Sequence, residues 1–212
     1  NDVRARASAL TRLGNLEALN GNADQAIARY QQAQQDDPAF SGSYIQLGQI
    51  YLEQELIDQA LEQFKQAVKT APTNATAQFL LGQASFRKGL LDDAETHLQE
   101  AIRLAPTDAR AYQWLGQVYT TRSRPDDAIT LYQQALEQVS TDRDIRLALA
   151  SAYRSQQKYD QAVEQYQALL ATTPDDADVL TELGVTYQAM GDNAKAQEAF
   201  NQVATQAAEQ PR

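Results

Sequence analysis

The sequence predicts an all-α protein built from six consecutive helix pairs, and three observations carry that prediction. The first is composition. Among 212 residues there are 36 Ala and 29 Gln but only 9 Gly and 6 Pro, so helix formers abound and turn material for a sandwich or barrel is scarce. The second is an internal repeat. At an offset of 34 the chain matches itself in six gapless blocks, 7–40, 41–74, 75–108, 109–142, 143–176 and 177–210, which make 1–212 a single array. The third is that the recurring columns fall at helical spacing.

Numbering each block from one, the first helix is marked by position 7, always Leu: Leu13, Leu47, Leu81, Leu115, Leu149 and Leu183. Position 8 is Gly except at Ala150, and position 11 is Tyr51, Tyr119, Tyr153 and Tyr187 in four blocks. Positions 4, 7, 8 and 11 share one helical face. The turn that follows is clearest in Asn20-Gly21-Asn22 and Met190-Gly191-Asp192. The second helix carries Ala at position 20 in every block and a large residue at 24: Tyr30, Phe64, Leu98, Tyr132, Tyr166, Phe200. Small residues at 8 and 20 let two backbones approach, and the residue at 24 fills the space beside them. Position 32 is Pro38, Pro72, Pro106, Ser140, Pro174 and Ala208, a column suited to stopping the second helix. Asn74, Asp108, Asp142 and Asp176 at position 34 then stand where the next helix needs an N-cap.

These residues resemble the tetratricopeptide repeat (TPR) family. Its signature is a large residue at 4, Leu-Gly at 7–8, Tyr at 11, Ala at 20, an aromatic at 24, Ala at 27 and Pro at 32. The resemblance runs from residue 7 to 210 and implies a right-handed α-solenoid, a superhelix of six helix-turn-helix units. Departures are few: Glu17 and Ser85 at position 11, Gln78 and Arg146 at position 4, and Pro125 at position 17, where the first turn of a helix tolerates it. Such an array has no single core, and each block buries its faces against its neighbours. Second-helix positions 21 and 28 are apolar in blocks two, four and five but Gln197 and Ala204 in the last, as expected of an array ending near residue 212.

Chemistry is hard to find in this sequence. It has no Cys and one His, which removes disulfides, thiolate sites and most triads and multi-His metal sites. Phosphate-loop, dinucleotide and zinc-protease motifs do not occur. His97 falls at position 23, a mixed and mostly polar column, and is expected at the surface. Acidic pairs such as Asp92-Asp93 and Asp126-Asp127 read as first-turn carboxylates favoured by the helix dipole. No catalytic residue, metal or cofactor is expected, and the chain is not expected to be an enzyme. A net charge of −10 argues against nucleic acid, and no apolar run is long enough to enter a membrane. The composition leans towards a cytoplasmic protein, and an anchored or exported extracytoplasmic module has the same composition.

A partner is expected in the groove that first helices line in this family, where positions 2, 5, 6, 9, 12 and 13 point inward. Position 9 reads Asn15, Gln49, Gln83 and Gln117 in the first four blocks. A side-chain amide both donates and accepts, so spaced amides can hold the backbone of an extended peptide. Positions 5, 6 and 12 supply Ile45, Gln46, Leu52, Phe79, Leu80, Phe86, Gln113 and Trp114. Because the core columns lie on another face, Phe79, Leu80, Phe86 and Trp114 are expected to form an exposed apolar patch. Arg12, Arg87, Arg110 and Arg154 add positive charge to the same groove. The chaperone-binding subset of the family clamps a C-terminal carboxylate with Lys, Asn and Arg at set groove positions. Here those positions hold Thr11, Asn15, Gln46, Thr76 and Leu80, or Phe79, Gln83, Trp114, Asp144 and Ala148, which argues against heat-shock chaperone tails. The expected function is a protein-protein interaction scaffold or adaptor binding a peptide or helix of a partner. Two alternatives stay open: a substrate-recognition segment of a larger enzyme, and a homo-oligomer assembled through the solenoid ends.

Overall fold

The computed structural model describes residues 2–139 and 142–209, the last four as backbone only. All regular structure among them is helical. Each repeat is one helix pair: α1 (Val3–Leu19) with α2 (Ala23–Asp36), α3 (Ser41–Glu53) with α4 (Ile57–Thr70), α5 (Ala75–Lys88) with α6 (Leu91–Leu104), α7 (Ala109–Thr121) with α8 (Pro125–Gln138), α9 (Arg143–Ser155) with α10 (Tyr159–Leu170), and α11 (Ala177–Met190) with α12 (Asn193–Glu209). The chain forms two compact units, Asn1–Val118 and Tyr119–Arg212, divided within α7. In the first unit α2 packs on α3 and α4 on α5, while the first helices also touch in succession, α1 to α3 and α3 to α5. In the second, α8 packs on α9 and α10 on α11.

Small and aromatic columns meet face to face. A Cβ on Gly48 would lie 2.5 Å from the Phe64 ring, and Gly14 and Gly184 meet Tyr30 and Phe200 in the same way. Ala26, Ala60, Ala94, Ala128 and Ala162 are fully buried. Two further columns complete the core. Position 3 (Ser43, Ala77, Ala111, Ile145, Val179) and position 10 (Ile50, Ala84, Val118, Thr186) are buried, and Ile50 packs on Ala26 and Tyr30 of the preceding repeat. Their small and polar members gave no hydrophobic signal.

Turns repeat as faithfully as cores. Position 15 is left-handed in all six repeats: Gly21, Gly89 and Gly191 with φ of 79° to 83°, and Glu55, Ser123 and Gln157 with φ of 55° to 61°. Around it the N–H of position 16 donates to the carbonyl of position 11, as from Leu56 to Tyr51 at 2.8 Å and from Asp192 to Tyr187 at 2.9 Å. This closes the first helix and turns the chain. At the other end Asn74 accepts from the Ala77 N–H at 3.0 Å, Asp142 from Ile145 at 2.8 Å and Asp176 from Val179 at 3.1 Å, as the capping column predicted. Phe40 replaces the cap before α3 and packs on Ala7, Leu10 and Ala33. Pro72 and Pro106 lie in the turns after α4 and α6; Ser140 of the same column lies outside the described residues.

The polar departures at position 4 find partners at position 23 of their own repeat. The Gln78 carbonyl oxygen lies 2.8 Å from His97 Nδ1, and Arg146 donates to the Gln165 amide oxygen at 3.1 Å. His97 is therefore half-buried, contrary to the surface position expected for it. In these two repeats column 23 faces column 4 across the helix pair, and its polar residue makes an internal hydrogen bond.

Candidate functional site

The predicted amides take three different settings. Asn15 accepts a 2.8 Å hydrogen bond from the Tyr30 hydroxyl, so part of its capacity serves the repeat itself. Gln49 and Gln83 are half-buried on α3 and α5, and Gln117 is exposed on α7. Between α3 and α5 the chain leaves a notch of about 220 Å³ lined by Gln49, Leu52, Glu53, Leu80, Gln83 and Arg87. Leu52 and Leu80 are buried and form its apolar floor, while the two amides stand over it from equivalent positions of successive repeats.

The exposed apolar patch is not there. Phe79 and Leu80 are each only 5% exposed, and Ile45 is buried beside them in sequence order at position 5 of the preceding repeat. Phe86 and Trp114 are half-buried and meet edge to face, with centroids 5.5 Å apart and planes at 69°. Large side chains at positions 5, 6 and 12 instead fill the space along the row of first helices. A patch that fills such a space offers a partner only its rim. Gln46 and Gln113 are half-buried in the same row.

Charge is also largely answered from within. Arg87 donates to the Glu55 carboxylate at 2.5 Å and to the Leu52 carbonyl at 3.3 Å. Arg110 forks onto Asp108 at 2.9 and 2.7 Å and lies 4.8 Å from the Phe79 ring centroid. Hydrogen bonds from the Arg110 guanidinium hold the Asp108 carboxyl below its usual range despite burial, which pushes the other way. In the second unit Arg154 pairs with Glu182 at 2.5 Å, and Ser151 and Val185 at position 9 are exposed. These three arginines thus sit beside carboxylates that cancel much of their field. Glu53 and Glu55 were not among the predicted residues: Glu53 shares the inward column of Arg87 but had no recurring type to mark it, and Glu55 lies in the turn column 15. No trio of His, Cys, Asp and Glu among the described residues is placed to hold a metal, and no described helix is long and apolar enough to cross a membrane.

Six helix pairs at a 34-residue period, with small residues facing aromatics in each pair, define a tetratricopeptide repeat protein of the solenoid class. The chain belongs to the family described as the cilia and flagella-associated protein 70 C-terminal domain, whose model matches residues 2–211. No curated protein matches the sequence. Among solved structures the fold is similar to PilF of Pseudomonas aeruginosa, with 19% identity, a TM-score of 0.78 and coverage of 99% of this chain and 96% of that one. A tetratricopeptide repeat protein from Parabacteroides merdae is similar at 20% identity and TM-score 0.77, over 95% of this chain and 80% of that one. YrrB, described as a TPR protein with an unusual peptide-binding site, is similar at 22% identity and TM-score 0.66, over 82% and 90%. At these identities the likeness concerns the fold.

Proposed function

We propose that this chain is a protein-interaction scaffold, without catalysis of its own, that holds an extended peptide segment of a partner over the α3–α5 notch. The observation that carries the reading is the pairing of Gln49 and Gln83 over a floor of Leu52 and Leu80. Drug-sized ligands fill pockets of roughly 300–1,000 Å³, so a notch of about 220 Å³ suits a single apolar side chain. The amides on either side are spaced by one repeat and can pair with peptide backbone groups flanking that side chain. A helix has its backbone groups paired internally and leaves the amides nothing to bind, which favours the extended form. The peptide-binding description of YrrB, a similar fold, supports the same reading.

The test is selection of binding peptides from a displayed library on the full 212-residue chain, followed by calorimetry on the best sequence. Gln49→Ala and Gln83→Ala should each weaken binding by about 1 kcal/mol, the net worth of a typical hydrogen bond. A selected peptide that binds the double variant as tightly as the parent would remove the notch from the account.

A further inference from the structure

We infer, resting on the reading of the α3–α5 notch as a peptide site, that Glu53 selects its ligand by charge: the bound segment carries a lysine or arginine beside its apolar side chain. Gln49 and Glu53 lie four residues apart on α3, and Gln83 and Arg87 four apart on α5. All four line the notch, as a row of amides at position 9 and a row of charges at position 13. In the other repeats position 13 is Leu19, Thr121, Ser155 and Ala189, so the charges of this column fall together at the notch. The two charges do not answer each other. Arg87 donates to the Glu55 carboxylate and the Leu52 carbonyl. Glu53 is exposed and has no hydrogen-bond or ion-pair partner among the described residues. Two carboxylates and one guanidinium thus leave one negative charge over.

The place of Glu53 on its helix adds to that charge. It is the last residue of α3, at the negative end of the helix dipole, where a carboxylate is disfavoured and a cation favoured. No basic residue stands in the last turn of α3, whereas α5 ends in Arg87 and Lys88. A ligand cation at the mouth of the notch therefore meets a carboxylate and a helix C-terminus together, and an acidic side chain is repelled by both. Reach decides which residue of the peptide answers. One helical turn, about 6 Å for four residues, separates Gln49 from Glu53 along α3. A lysine or arginine whose backbone pairs with Gln49 spans that distance, its stem lying along the apolar floor while its charged end stays in water. A short or uncharged side chain there leaves Glu53 unanswered. The −10 charge of the whole chain draws the same ligand from a distance.

The experiment is selection from a random displayed peptide library on the full 212-residue chain and, in parallel, on its Glu53→Lys and Glu62→Lys variants. Glu62 is exposed on α4 and does not line the notch, so its reversal changes the net charge equally and serves as the control. Peptides taken by the parent and by Glu62→Lys should carry Lys or Arg next to an apolar residue, and those taken by Glu53→Lys should carry Asp or Glu there. In calorimetry at about 50 mM NaCl, exchanging that basic residue for Glu should weaken binding to the parent roughly three- to tenfold, and Glu53→Lys should invert the order. Glu53 is exposed, so circular dichroism of its variant should match the parent. The same enrichment on Glu53→Lys, or no preference on the parent, overturns the role of Glu53. So does a preference that Glu62→Lys alters as much, which is general attraction to an acidic chain. Gln49→Ala and Gln83→Ala keep the two claims apart. If they weaken the selected peptides while Glu53→Lys leaves the preference unchanged, the notch stands and charge selection falls. If the peptides ignore both amides, the notch falls and charge selection with it.

Discussion

His97 is the chain's one imidazole, and its setting makes it a small pH sensor of stability. It bonds Gln78 across the helix pair, and burial lowers its pKa below the ordinary 6.5 while the charge of Asp93 pulls weakly the other way. Glu100 and Arg103 line the same recess. A depressed histidine favours the neutral form in the folded state. Its contribution is thus intact above the unfolded value near 6.5 and lost as pH falls from there to the folded value. His97→Gln keeps a hydrogen-bonding side chain without the titration, so its urea midpoint should fall less than the parent's between pH 7 and 5. Parallel midpoints across that range would refute the assignment. Gly48 offers a second test at this scale. Gly48→Ala puts a methyl 2.5 Å from the buried Phe64 ring and should cost roughly 1–3 kcal/mol in denaturant titration. The fifth repeat carries Ala150 opposite Tyr166, both buried, so such a pair can be respaced. The cost is therefore that of moving Phe64, with the fold retained.

At the scale of the helix pair, the left-handed residue at position 15 is the recurring strain. Glu55, Ser123 and Gln157 hold a φ that glycine holds in the other three repeats. A non-glycine residue there costs roughly 1–2 kcal/mol, and glycine's extra freedom when unfolded returns roughly 0.5–1 kcal/mol of that. Gln157→Gly should therefore raise stability by about 0.5–1 kcal/mol, read as a higher melting temperature. An unchanged or lower value would show that the turn is held by something other than its backbone angle. This position also shows where sequence reading stopped. A column of three Gly, one Glu, one Ser and one Gln has no common chemistry, only a common backbone angle. The columns at 7, 8, 20 and 24 were legible because packing fixes side-chain size there. Columns 3 and 10 were hidden by Ser43, Ala77 and Ala84, which are buried because they are small. The apolar patch was misread for a related reason: which neighbour covers Phe79 and Leu80 is a property of the packed row, absent from any one helix.

Over the whole molecule the stability is distributed as neighbour contacts, and so is the charge. The net charge is −10, yet Arg87, Arg110 and Arg154 on their first helices are each beside a carboxylate. A peptide held by amides and an apolar floor should therefore be nearly indifferent to salt. Raising NaCl from about 50 to 500 mM shortens the screening length severalfold but should change the affinity of a selected peptide by less than about threefold. A steep loss would return the arginines to the centre of recognition. Six in-phase repeats made the fold readable from sequence. The notch was not, since it depends on how α3 and α5 sit side by side and on Arg87, one of its lining residues, being held by Glu55.

The most direct measurement is a nitrogen-15 correlation spectrum of the 212-residue chain, recorded with and without a selected peptide, following the side-chain amide signals of the glutamines. If the α3–α5 notch holds the peptide, the NH₂ signals of Gln49 and Gln83 should shift first and saturate with the calorimetric affinity, while those of Gln66 and Gln133 on second helices stay in place. Shifts confined to second helices, or saturating binding with Gln49 and Gln83 unmoved, would contradict the account.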